Sequence, residues 1–224
     1  MARRIKIRLP GDDTVSGLID LPSSATCLMV LAHGAGAGME HIFMSQLADA
    51  LASHHIGSLR FNFRYMERGG GRPDYPNVAH QVIRAAIDRA HHYADPMGIP
   101  VVGGGKSFGG RMLSQVAAKD EDPGVSALVF YGFPLHAPGK PGLERAAHLQ
   151  DVRIPMLFLQ GTRDTLAQEP LIRQVCKDLR RARLCMFEGA DHGFHMLKRS
   201  GVTDLEMRDR LALESAKWLS KKLK

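Results

Sequence analysis

Cysteine is scarce in these 224 residues: the three present, Cys27, Cys176 and Cys185, are odd in number and form neither a CxxC pair nor a Cys/His metal spacing. That excludes a disulfide framework and reads as reduced thiols. No run approaches the roughly 18 to 20 apolar residues that span a bilayer. The first residues, Met-Ala-Arg-Arg-Ile-Lys-Ile-Arg, alternate apolar and basic side chains and lack the apolar stretch of a signal peptide. A soluble, cytoplasmic protein without membrane insertion is therefore expected. Long basic runs are absent too. Lys and Arg outnumber Asp and Glu by 30 to 23, giving a formal charge of +7, but the bases are spread, with only short clusters such as Arg3-Arg4, Arg180-Arg181 and Lys221-Lys222, so no nucleic-acid partner is expected. The histidines, including His54-His55 and His91-His92, show no ligand spacing, and no metal site is expected.

Repeats, low-complexity segments and linkers are likewise missing, and 44% of the residues are hydrophobic. One domain over residues 1–224, with a sizeable core, follows. Its pattern is strand and helix in turn. Residues 3 to 9 and 14 to 21 alternate apolar with polar, and Gly11-Asp12-Asp13 between them signals a turn, so an antiparallel edge hairpin is expected. Cys27 to Ala32 is continuously apolar, the mark of a strand buried on both faces. Further strands are expected at 56–63, 99–103, 125–131, 154–160 and 183–188, and helices at 40–54, 77–94, 107–118 and 203–222. The fold class is thus α/β, a mostly parallel central sheet of about eight strands with helices on both faces. The widest gap, from Phe133 to Ile154, has room for one short helix near 143–150 and none for a lid domain.

Chemistry-bearing residues fall just past strand ends, where open α/β sheets place their ligands. Gly105-Lys106-Ser107-Phe108-Gly109 matches G-x-S-x-G between a strand and a helix, with glycines where a sharp strand-to-helix turn needs room. Gly103-Gly104-Gly105-Lys106-Ser107 also resembles the end of a phosphate-binding loop, but Pro100 stands where that motif requires its first glycine. His33-Gly34-Ala35-Gly36 follows the buried strand. Its turn can offer the amide of Ala35, and the residue after the serine can offer that of Phe108, to an oxygen that becomes negative during acyl transfer. Asp164 in Gln160-Gly-Thr-Arg-Asp and His192 in Gly189-Ala-Asp-His-Gly-Phe follow two later strands. The roles expected are Ser107 as nucleophile, His192 as general base and Asp164 as its orienting acid. Asp191 and His195 are the nearby rivals for the last two.

With these motifs in this order, the chain resembles the α/β-hydrolase superfamily over nearly its whole length. It is most similar to the small dienelactone-hydrolase-like branch that includes bacterial predicted hydrolases and animal testis-expressed hydrolase-like proteins. Gly-Lys-Ser-Phe-Gly-Gly-Arg and Tyr131-Gly-Phe-Pro-Leu-His136 carry the likeness to that branch. The resemblance implies the α/β-hydrolase fold and a triad of Ser107, Asp164 and His192 with oxyanion amides at Ala35 and Phe108. It further implies hydrolysis of a small ester or related acyl bond through an acyl-enzyme, with no cofactor. Serine departs from the cysteine nucleophile of true dienelactone hydrolases. Tyr65, Phe133, Leu135, Phe194 and Phe108 are candidate wall residues, ordinary core packing being the other reading of each. Lys106 and Arg64 are candidates for positive potential favouring an anionic acyl substrate. A catalytically silent protein of the same fold, and a thioesterase or acyl-peptidase, are the alternatives left open, as is the oligomeric state.

Overall fold

The computed structural model describes residues 2–223. Its eight strands are β1 (Arg3–Arg8), β2 (Thr14–Asp20), β3 (Cys27–Ala32), β4 (Ile56–Phe61), β5 (Val101–Lys106), β6 (Leu128–Tyr131), β7 (Met156–Gly161) and β8 (Ala182–Phe187). They form one sheet in the order β1-β2-β4-β3-β5-β6-β7-β8. β1 and β2 form the expected antiparallel hairpin, β2 runs antiparallel to β4, and every other pair is parallel.

Six α-helices, α1 (Ile42–Ser53), α2 (Arg64–Glu67), α3 (Pro76–Ala94), α4 (Phe108–Lys119), α5 (Glu169–Asp178) and α6 (Asp204–Lys222), cover the sheet. β3 is apolar throughout because both its faces are covered. Leu28 and Val30 join the core under α3, α4 and α5, whereas Met29 and Leu31 join the core under α1 and α6. α3 begins with Pro76, whose fixed φ suits a first turn, and buries the stripe Ala79, Val82, Ile83, Ala86, Ile87 and Ala90. α6 is started by a capping box, in which Thr203 accepts from the Glu206 amide and Glu206 accepts from the Thr203 amide.

The chain leaves β3 toward β4 on one side and returns through α3 to β5 on the other. The β3 and β5 ends thus flank the switch point of the sheet, where a crevice forms. Between β6 and β7 the chain has an isolated bridge, Ala137 to Lys140, and a 3-10 helix, Glu144–Asp151. No lid domain lies there.

Several strand ends shift by a few residues from expectation, and three differences bear on the site or its surroundings. β5 continues through Gly103, Gly104 and Gly105 because all three stay paired with β3 and β6, the room beside them being filled by Leu128 at Gly103, Met29 at Gly104 and the backbone of Gly110 at Gly105. The strand expected to reach residue 63 stops at Phe61, and Phe63 instead caps α2. The sequence pattern marks no helix at α5, which carries Pro170 in its first turn and buries only Ile172, Val175 and Cys176.

Candidate active site

Ser107 is forced into position by its backbone. At φ 49° and ψ −113° it occupies a region that non-glycine residues avoid. The strain is held because β5 anchors one side and α4 the other. A side chain at Gly109 would meet the carbonyls of Ala32 and His33 at 2.5 and 2.6 Å, so α4 can press onto the end of β3 only through glycine. The helix begins at Phe108, one residue later than expected, which leaves Ser107 at the corner.

Residues far apart in the chain converge there. Ser107 Oγ lies 2.8 Å from His192 Nε2, and His192 Nδ1 lies 2.7 Å from Asp164 Oδ2. Asp164 is 3% exposed, and its Oδ1 accepts the Leu166 amide at 2.7 Å while Gln160 Nε2 donates to Oδ2. Gln160 is itself fixed by accepting the Phe133 amide. These contacts assign a neutral His192 its Nδ1–H tautomer, leaving Nε2 to accept from the serine. Burial lowers the pKa of His192 below the ordinary histidine value; the hydrogen bond to Asp164 pulls the other way, and the Lys106 charge adds to the lowering. Such a chain of groups is equipped to take the serine proton as its oxygen attacks a carbonyl.

The rivals stand apart. Asp191 Oδ1 accepts the amide of His195, and His195 pairs with Asp204.

The turn after β3 lies against the serine: a side chain at Gly34 would come within 3.8 Å of Ser107 Cβ. The turn is held from beneath by Tyr65, whose hydroxyl accepts the Gly36 amide at 3.0 Å and donates to the Gly34 carbonyl at 3.4 Å. His33 holds it as well. Its Nδ1 donates to the Gly34 carbonyl at 2.7 Å and its Nε2 accepts the Phe63 amide at 3.2 Å. Burial drives the His33 pKa down to about 4, so the ring is neutral near pH 7.

A cavity of about 390 Å³ opens beside Ser107, with Gly34, Ala35, Ile42, Phe43, Leu166, His192 and Arg208 in its walls. Tyr65, Phe133, Leu135 and Phe194 are not among them. All four are at most 5% exposed and pack beneath the site, since each is aimed into one of the two cores. Arg64 is not there either, because it turns to Asp13 in the β1–β2 turn. Lys106 is on the cavity, but its ammonium is occupied. Nζ donates to the His192 carbonyl at 2.6 Å and stands 5.6 and 5.8 Å from the ring centres of Phe43 and Phe194. Desolvation brings its pKa down to about 8. Cavity wall residues that the sequence did not announce come from α1, from α6 and, as Leu166, from the loop after β7.

Residues 25–220 match the model of a family described as the alpha/beta hydrolase domain. Among solved structures, the chain superposes on a dienelactone hydrolase from Anabaena variabilis with a TM-score of 0.77, at 19% identity over 100% of this chain and 99% of that one. An alpha-beta serine hydrolase homologue from Coxiella burnetii gives 0.76, at 22% identity over 95% and 96%. A Xanthomonas campestris member of the a/b serine hydrolases without lid gives 0.75, at 20% identity over 97% and 94%.

Proposed function

The chain belongs to the α/β-hydrolase superfamily, with a dienelactone-hydrolase-like fold, and from that premise we propose that it is a serine hydrolase. Its substrate would be a small ester or related acyl compound. The observation that carries the reading is the unbroken hydrogen-bonded chain from Ser107 through His192 to buried Asp164, set on a strained corner beside an open cavity. The esterase structures among its fold relatives add support. The three cysteines, none of them bridged, suit a cytoplasmic setting, and residues 1–224 acting as one domain is part of the same reading.

In this mechanism Ser107 Oγ bonds to the acyl carbon while His192 Nε2 takes its proton. The negative oxygen so formed is received by the amides of Ala35 and Phe108. Removing one such donor from an enzyme costs roughly 3 kcal/mol of transition-state stabilisation. The bond to the leaving alcohol then breaks and His192 returns the proton to it, leaving an acyl group on Ser107. Water attacks that acyl group with His192 again as base, and the free serine is restored. Asp164 holds the imidazole tautomer and stabilises its protonated form without itself taking the proton.

Labelling with a fluorophosphonate followed by peptide mapping tests the assignment. Modification should fall on Ser107, vanish in Ser107→Ala and drop steeply in His192→Ala. A folded protein that resists the reagent would turn the reading toward a silent scaffold.

A further inference from the structure

One side chain of the cavity has no part in acyl transfer. Arg208 projects from α6 into the wall and is 2% exposed. Its guanidinium carbon stands 4.1 Å from the ring centre of Phe43. Nη2 donates to the Gly193 carbonyl at 3.4 Å, a long contact, while Nε and Nη1 are buried and make no hydrogen bond among the described residues.

A buried cation left this way is unfavourable, since it has given up water without gaining an anion. The acids whose charge reaches it, Asp204 and Asp191, are engaged with His195 through an ion pair and a backbone amide respectively. No ion pair to Arg208 exists among the described residues. The same walls carry Lys106, whose ammonium is tied to His192 and so adds positive field without a free contact. Ile42, Phe43, Met44 and Leu166 supply apolar lining, beside the polar side chains of His41, His195 and Asp204, the last engaged by His195. The cavity therefore combines the serine, an apolar side and a buried positive end that no ion pair neutralises among the described residues.

We propose that this cavity selects an acyl group ending in a carboxylate, which is held by the guanidinium of Arg208 while its ester carbonyl meets Ser107. The proposal rests on the serine-hydrolase reading and names its substrate class: monoesters of short dicarboxylic acids. Guanidinium and carboxylate form charge-assisted hydrogen bonds, stronger than neutral ones and most valuable where water is excluded.

The test compares kcat/KM for p-nitrophenyl butyrate with that for the mono-p-nitrophenyl esters of succinate and glutarate. Wild-type protein should favour an anionic ester over the neutral one by tenfold or more. That ratio should fall about ten- to a hundredfold in Arg208→Gln, the range expected for losing a charged hydrogen bond, with partial recovery in Arg208→Lys. A ratio at or below one in the wild type, or a ratio unmoved in Arg208→Gln, overturns the proposal. A binding measurement separates this failure from failure of the hydrolase reading. In the Ser107→Ala protein, free glutarate should raise the melting temperature, and Arg208→Gln in that background should abolish the rise. If no ester is turned over and fluorophosphonate spares Ser107, the hydrolase reading falls, while the glutarate shift still decides the anion site. An absent shift, or one that survives Arg208→Gln, removes the site. Each variant's own melting curve shows that it folds.

Discussion

Gly109→Ala probes the packing that holds the nucleophile in place. A methyl there would stand 2.5 Å from the Ala32 carbonyl oxygen, 2.6 Å from that of His33 and 2.7 Å from the Ala32 carbonyl carbon. All three are backbone atoms at the end of β3, so no side chain can swing aside. Ordinary contact begins near 3.4 Å, which requires α4 and the strand end to part by about 0.9 Å. Alanine favours a helix over glycine by about 1 kcal/mol, which alone would stabilise the variant. Overpacking against a rigid neighbour costs about 1–3 kcal/mol and should win or at least cancel that gain. For a protein of this size each kcal/mol moves the melting temperature by about 2–4 °C, so the net loss of about 0–2 kcal/mol lowers it by up to about 8 °C. Activity should suffer more. The displacement separates Ser107 from the Gly34–Ala35 turn, and misplacement by about 1 Å can lower rates around a hundredfold. Gly71→Ala is the control, since a methyl there meets nothing within 4 Å. Calorimetry and ester kinetics on the two variants suffice. If Gly109→Ala melted with the wild type and kept its kcat/KM, the packing argument would be refuted.

Lys106→Met removes both the hydrogen bond to the His192 carbonyl and a charge that opposes protonation of His192. kcat should fall roughly tenfold or more, and the acid limb of kcat/KM should move to higher pH because the imidazole protonates more readily; an unmoved acid limb would show that Lys106 does not act on the base. His33 predicts acid sensitivity of the fold. The unfolded ring binds a proton near 6.5 and the buried one only near 4, so stability is intact above 6.5 and declines as pH falls between those values. At about 1.4 kcal/mol per pH unit the loss approaches about 3 kcal/mol near pH 4. Urea titrations at pH 7 and pH 4.5 should show a smaller acid loss in His33→Asn than in the wild type, and equal losses would contradict the assignment.

Much of this architecture was written in local pattern. The continuous apolar run Cys27 to Ala32 marks a doubly covered strand, and Ser107, Asp164 and His192 each follow a parallel strand of the same sheet by a few residues, which is why topology brings them together. What escaped depended on distant partners. Nothing near Arg64 shows that Asp13 will claim it, and nothing near Phe133 or Phe194 separates a pocket wall from the core beneath it. α5 was hidden by its short buried stripe. Arg208 did leave a signal. It falls on the helical stripe shared by Leu211, Ala212, Ser215 and Leu219, where a cation needs a reason to be buried.

The central claim is an acyl group carried on Ser107. Mixing the protein with a p-nitrophenyl ester under rapid quench and weighing the peptides tests it directly. The account predicts an acyl mass on the peptide containing Ser107, appearing with the first p-nitrophenol released and absent from Ser107→Ala. Steady release of p-nitrophenol with no acyl mass on that peptide at any time, or equal release by Ser107→Ala, would contradict it.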